Sequence, residues 1–587
     1  MNILQVLSQF EVTGAETFAA TLANEQIASG HNVIIVSDTF HTPTDAEVIL
    51  HPIGKRDIAQ RFKNIRFLNK LVKERTIDVV HAHSRAASWV SYFATRRGNV
   101  PLVSSIHGRQ HLHFSSKMFS IYGEKRVAVC RSIYNHLNHD LKYPLDTLAL
   151  VHNGIDLTKW KFQHHSPPKR EKKIAAFVGR LSGFKGDSLL VIVEKIFPLV
   201  FEKYKNVEFH IIGGMNEQSK ILPAIEETNK KVGVNFIIPK GFHKNVEEVY
   251  RTADLIIGSG RVAMEALACG SPVISIGESN YVGIISEQTK NEALVTNFGD
   301  LDARRPIEVD ASVNSIVQAL QHPDQISAEW GRKFIEENFE IKKVSAQMNL
   351  VFAEAIATKK EIHEIPVLLY HKIIDGPGNE RTINVREFEQ QLHYLQRKGF
   401  TPLNFFDLRE IVTLKKHLPK KPIVLTFDGY EENYRCAFPL LKRFGMTAVF
   451  YIRTERTANS PTLSVDQIRE LCAQHIEIGS ASATGRKFNL LSEEEIFSEV
   501  HGSISSLKRQ SSSEIISFAF PFGYVTERIK DVVKEAGFLF AVTIDEGRRN
   551  FWSDPLKIRR IQIFSGASQF SFWKKTSGWY YWYKNVY

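Results

Sequence analysis

The sequence predicts an α/β fold in which parallel strands alternate with helices, and three observations carry that expectation. The stretch GSGRVAMEALACGSPVI, Gly258 to Ile274, follows the apolar run Asp254 to Ile257 and reads as strand, glycine turn, helix and strand, a βαβ unit. The same alternation opens the chain: residues 2 to 8 read as a strand, Thr13 and Gly14 open a helix to about Ser29, and Asn32 to Ser37 form the next strand. At Pro366 the pattern restarts, with strands at Val367 to His371 and Ile423 to Tyr430. The first two patterns are Rossmann-like.

Length and composition set the outer limits. A chain of 587 residues is too long for one core, so several domains are expected. Its 43% apolar and 24% charged residues are ordinary for a globular protein. The net charge of +11 suits an anionic ligand, a phospholipid surface or nucleic acid. The basic residues are scattered and no nucleic-acid motif is present, which argues against the last. Cys130, Cys269, Cys436 and Cys472 lie far apart without a CxxC pair, so neither a disulfide framework nor a zinc knuckle is expected. There is no apolar run of about 18 residues and no basic-then-apolar leader, so the expected compartment is the cytoplasm.

Taken in order, the first loop at Gly14 faces the carboxyl ends of the strands, either leaving room for a substrate or serving as a plain turn. It lacks GxGxxG, so no dinucleotide site is expected. Strands follow at Asp78 to Ala82, Leu102 to Ile106 and Arg126 to Cys130. His81, His83 and His107 sit at strand ends, where ligands gather in doubly wound sheets, although a lone strand-end histidine is often structural. Residues 159 to 173 are polar, carry Pro167 and Pro168, and read as a linker. The expected domains are therefore 1–163, 164–360 and 361–587.

The second domain carries the chemistry. After a strand at Ile174 to Val178, one glycine-rich loop presents Arg180 and Lys185, a planar fork and a point charge for phosphate oxygens. Gly258, Ser259, Gly260 and Arg261 open a helix to about Ala268, ended by Gly270. Its unpaired N–H groups and dipole suit a phosphate. Glu265, one turn in, is placed to accept hydrogen bonds from ribose hydroxyls. Together these would clamp a nucleoside diphosphate. A solvated basic loop and an ordinary helix glutamate are the plainer alternatives.

GRLxxxKG followed by the EALACGSPVI helix resembles the C-terminal domain of family 4 retaining glycosyltransferases, of the GT-B fold. The resemblance implies that Arg180 and Lys185 neutralise a donor diphosphate, that Glu265 holds the ribose, and that His107, in a His-Gly pair, faces the donor sugar. Asn153 to Asp156 matches a turn beside the cleft, and Val344 to Ala357 a helix returning to the first domain. The family's further glutamate, eight residues before Glu265, is here Ile257.

Beyond residue 361, His371, Ile423 to Tyr430 and Ser517 to Gly523 resemble NodB-type polysaccharide deacetylases of carbohydrate esterase family 4, an irregular (β/α) barrel. The resemblance implies a zinc held by one Asp and two His, with a second Asp as base. This chain has a single Asp428 where the family has two aspartates, and Ala481 and Gly485 where it has the two histidines. His475 and His501 lack the spacing, and an unusual site built with His371 is the remaining alternative. An inactive, deacetylase-like module is expected. The tail Phe570 to Tyr587 suits a membrane interface, a carbohydrate surface, or simply a last element packed on the barrel.

The expected activity is transfer of a sugar from a nucleotide-sugar donor to a cell-envelope glycan or glycolipid acceptor, retaining and without a cofactor or metal. Peripheral contact with the inner face of the membrane and no nucleic-acid partner are expected. The oligomeric state is left open. A glycan-binding scaffold with both modules degenerate and a bifunctional transferase-deacetylase are the alternatives.

Overall fold

Val, Ile and Leu dominate the strands because both faces of the sheets are covered, which removes the wet face that would call for alternation. A computed structural model describes the chain apart from residues 10–12, 56, 111–120, 164–167, 169, 215–219, 244, 324–326, 363, 456–462, 545–553, 579 and 581–587. It divides into two compact units, Met1–Phe352 and Ala353–Tyr587.

The first unit contains two sheets. Among the described residues, one has seven strands: β1 (Asn2–Val6), β2 (Asn32–Ser37), β3 (Glu47–Leu50), β4 (Val79–Ala82), β5 (Leu102–Ile106), β6 (Lys125–Ala128) and β7 (Leu148–Leu150). All pair in parallel, in the order β3-β2-β1-β4-β5-β6-β7. The other comprises β8 (Lys173–Val178), β9 (Val207–Ile212), β10 (Ile237–Gly241), β11 (Leu255–Ile257), β12 (Val273–Ile276) and β13 (Tyr281–Ile284), in the order β10-β9-β8-β11-β12-β13. Only the edge pair β12–β13 is antiparallel. Strand order reverses beside β1 in one sheet and beside β8 in the other, the switch points where such sheets bind ligands. This is the GT-B pair that the resemblance implies.

Two local expectations need correction. Lys185 is not on a loop: a helix runs over Gly183–Val191, directly after Ser182, and Lys185 stands in its first turn. Leu189 is fully buried, and the buried stripe continues through Ile192, Val193 and Ile196 of the π-helical turn Ile192–Ile196 that follows, which anchors this helix on the sheet. The polar segment after Lys159 is not a free tether either. Trp160 is buried among the core residues of the second sheet, 5.7 Å from Tyr250, and Arg332 Nη1 donates to its carbonyl at 2.7 Å. Further on, the Gln163 N–H donates to the Cys269 carbonyl at 3.3 Å, and residues 164–167 and 169 lie outside the described residues. The helix Ile341–Lys359 is the return helix, and its Phe352 packs edge-on to His81 in the first sheet at 5.3 Å.

The second unit is a barrel. It adds β14 (Val367–Tyr370), a small parallel pair β15 (Lys372–Ile374) and β16 (Thr382–Asn384), then β17 (Thr401–Leu403), β18 (Pro422–Asp428), β19 (Val449–Ile452), β20 (Glu477–Ser480), β21 (Ser517–Ala519), β22 (Phe540–Ile544) and β23 (Ile558–Gln562). β18 to β23 pair in sequence and in parallel, and β14 closes the ring by pairing with both β18 and β23. β17 lies outside the ring, against β18. Of the aromatic tail, Phe572 is buried in the barrel core, whereas Phe570 and Trp573 stack on one another at the surface. Residues 581–587 lie outside the described residues. No described helix is long and apolar enough to cross a membrane.

Candidate active site

The carboxyl ends of the two sheets in the first unit face one cavity of about 510 Å³. Gly14, His83 and His107 line it from the first sheet, and Arg180, Lys185, Ser259 and Arg261 from the second. Gly14 begins the helix Gly14–Ala28, which Thr13 caps by accepting from the Glu16 N–H at 3.3 Å. Nothing lies within 4 Å of where a Cβ on Gly14 would stand, so that wall is open.

On the second sheet, the turn after β11 aims a helix N-terminus at the cavity. Gly260 has φ of +55°, and a Cβ there would collide with Asp300 Oδ2. The left-handed Gly270 ends the helix Arg261–Cys269, as the sequence predicts. Arg261 sits in the first turn, where a cation meets the positive end of the dipole and is disfavoured by about 0.3–1 kcal/mol. Glu265 offsets this, accepting from Arg261 Nε at 2.8 Å and from the Tyr250 hydroxyl at 3.2 Å. Glu265 itself does not line the cavity. It stands behind Arg261, and burial raises its pKa although Arg261 counteracts. Ile257 is fully buried in the sheet core and offers the cavity nothing.

Two carboxylates enter the same space. Asp300 Oδ2 is 2.9 Å from Lys185 Nζ, and Glu278 Oε1 is 3.6 Å from Arg180. Burial, then the neighbouring Asp300, raises the pKa of Glu278. Sequence reasoning missed both residues. Glu278 could have been found, since it follows the carboxyl end of β12. Asp300 belongs to no motif.

The three strand-end histidines form one cluster. His83 Nε2 is 3.1 Å from Gln5 Oε1, its Nδ1 is 3.4 Å from His107 Nε2, and His81 Nε2 is 2.7 Å from Ser105 Oγ. Burial pushes His81 down to about 3 and His107 to about 4, and holds His83 well below the usual imidazole range. All three are therefore neutral near pH 7. His107 lines the cavity, where a neutral imidazole can exchange a hydrogen bond with a bound ligand. His81, inside β4, is a core residue.

In the barrel, Asp428, His371, Arg560 and Gln562 meet at the carboxyl ends of β14, β18 and β23. His371 Nδ1 is 2.7 Å from Asp428 Oδ2, and its Nε2 is 3.1 Å from Gln562 Oε1. Burial opposes the charge on His371, but Asp428 outweighs it and the pKa is raised. Arg560 Nη1 stands 3.9 Å from the other Asp428 oxygen. The residues do not fit the zinc that the fold implies. Ala481 and Gly485 have no donor atom. A Cβ at Gly485 would come 2.5 Å from Arg453 Cδ, so that side chain would have to move, and the φ of +78° at Gly485 disfavours any L side chain there. Among the described residues no group of three His, Cys, Asp or Glu could hold a metal.

Comparison with known proteins agrees with this division. Residues 12–159 match the profile of Glycosyltransferase Family 4, residues 158–303 that of Glycosyl transferases group 1, and residues 415–541 that of Polysaccharide deacetylase. YxkH of Bacillus subtilis, a provisionally named polysaccharide deacetylase, is 25% identical over 210 residues, 36% of this chain and 75% of that protein. The D-inositol 3-phosphate glycosyltransferase of Mycolicibacterium vanbaalenii is 26% identical over 235 residues, 34% of this chain and 52% of that one. The crystal structure of Anabaena HepE in complex with UDP is 16% identical, with a TM-score of 0.45, and covers 60% of this chain and all (100%) of that one.

Proposed function

Since the chain is a glycosyltransferase of family 4 and group 1 type fused to a polysaccharide-deacetylase domain, we propose that its first unit binds a nucleotide-sugar and transfers the sugar, with retention, to a cell-envelope glycan or glycolipid. The observation that carries this reading is the convergence of Arg180, Lys185 and the N-terminal turn of the helix Arg261–Cys269 on one cavity. Three cations and a helix N-terminus meet the charge that develops on a departing diphosphate, which is fixed electrostatic stabilisation of a leaving group. Lys185 has three N–H donors, so its bond to Asp300 leaves others for phosphate oxygens. Neutral His107 faces the sugar from the opposite wall, and Glu265 braces Arg261 when the ribose does not occupy it.

Calorimetric titration with uridine, guanosine and adenosine diphosphates tests the reading. One of them is expected to bind. Arg180→Ala and Lys185→Ala should each weaken it by about tenfold or more, the loss of one hydrogen bond to a charged group. Unchanged affinity in both variants would remove the diphosphate seat.

We further propose that the barrel binds glycan without hydrolysing it, since Asp428 is engaged by His371 and Arg560 and, among the described residues, no third His, Cys, Asp or Glu joins Asp428 and His371 to hold a metal. Release of acetate from acetylated oligosaccharides by the purified chain would favour the bifunctional reading instead.

A further inference from the structure

The segment entering the cleft beside Glu278 has unusual backbone. Asn297, Phe298 and Gly299 follow one another with φ of +51°, +55° and +79°. A side chain as bulky as phenylalanine adopts the left-handed region only where its surroundings enforce it. Here they do. Phe298 is fully buried between Phe334 and Phe339, its N–H donates to the Ala293 carbonyl at 2.8 Å, and its own carbonyl accepts from Ser275 Oγ at 2.7 Å. Gly277 lies so close to Gly299 that a Cβ on it would strike the Gly299 backbone.

What this strained run delivers to the cavity is the carboxylate of Asp300. One oxygen meets Lys185 at 2.9 Å, and the other accepts from the Glu278 N–H at 3.4 Å. Asn297 and Gly299 adopt the left-handed region readily, but Phe298 does so at a cost of about 1–3 kcal/mol, at least as much as a single part-buried ion pair returns, so the ion pair alone does not account for the arrangement. An ionised carboxylate has about four acceptor positions, and these two partners leave others open. Asn297, which also lines the cavity, is buried to 8% exposure, and its Oδ1 has no hydrogen-bond partner. The open acceptor positions of Asp300, with a further unpaired acceptor on Asn297 in the same cavity lining, call for a ligand group that donates. A phosphate cannot fill that role, whereas sugar hydroxyls can.

We propose that Asp300 determines donor specificity by accepting hydrogen bonds from hydroxyls of the transferred sugar, next to the diphosphate held by Lys185. This rests on the nucleotide-sugar reading of the cleft. The test uses the full chain and Asp300→Asn, which keeps the shape. Calorimetry gives the affinity for the nucleoside diphosphate that wild type binds. Hydrolysis kinetics give kcat/KM for the nucleotide-sugar that wild type cleaves fastest in a panel including sugar epimers. Asp300→Asn is expected to bind the bare diphosphate within about threefold of wild type but to lose tenfold to a hundredfold in kcat/KM, the range for losing a hydrogen bond to a charged group. Its discrimination between epimers should narrow. Lys185→Ala should show the opposite signature, with diphosphate affinity lost first. Parallel loss of both quantities in Asp300→Asn would reduce Asp300 to a positioning residue for Lys185 and overturn the proposal, as would no loss of kcat/KM. Wild type that binds no diphosphate at all would instead remove the reading of the cleft itself.

Discussion

Gly260 shows how little freedom a single position in the cleft has. Its φ of +55° already disfavours any L side chain, and the Asp300 carboxylate fills the space a methyl group would need. Gly260→Ala is expected to cost about 1–3 kcal/mol of stability. It should also weaken diphosphate binding, because the helix N-terminus and Asp300 must both shift. Denaturant titration and calorimetry on the same sample would check the two effects. A fully stable, fully binding variant would contradict the geometry. Arg180 is the converse case: its side chain is about half exposed and 3.6 Å from Glu278, so Arg180→Ala should leave the denaturation midpoint almost unchanged while binding falls.

At the scale of elements, the order of strands and helices was legible because buried parallel strands announce themselves as apolar runs between glycine turns. The helix Arg261–Cys269 and its glycine stop came directly from that pattern. Trp160 did not. It sits among lysines and prolines, and only packing against Tyr250 reveals it as a core residue. Trp160→Ala is expected to cost about 3–5 kcal/mol, the usual penalty for emptying so large a buried site, and a shift of the urea midpoint would measure it. Asp300 was illegible for a different reason. Its place depends on a left-handed run that neither propensity nor periodicity encodes, and on contacts with residues 40 and 115 positions away. Closure of the barrel was legible only through family resemblance, since strand spacing says nothing about which edges meet.

At the scale of the whole molecule, the histidine cluster ties stability to pH. Burial lowers the pKa of His81 and His107 to about 3 and about 4, from the 6.5 of a free imidazole, so below pH 6.5 the unfolded chain takes up protons that the folded one refuses. Stability then falls as pH drops from about 6.5 towards 4, by up to about 1.4 kcal/mol per pH unit for each histidine. Urea midpoints recorded from pH 7.5 to 4.5 should trace that decline. A flat profile would mean the cluster is solvated. In the barrel, restoring histidines through Ala481→His and Gly485→His is expected not to restore zinc binding, because residue 485 has a left-handed backbone that disfavours a histidine and Arg453 would also have to move aside. Metal analysis of the purified double variant would check this, and stoichiometric zinc would count against the packing seen there.

The closure of β14 against both β18 and β23 has a consequence for biosynthesis. While a ribosome is still translating, the strand at 367–370 can find its β18 partners, 57 residues later in register (Val367 to Val424), but must wait for residues 558–562 to complete the ring. Throughout that interval the nascent module exposes an unpaired strand edge, the feature most prone to illicit pairing with another chain. A polypeptide stalled short of residue 558 should therefore engage chaperones or aggregate, and one released beyond it should not.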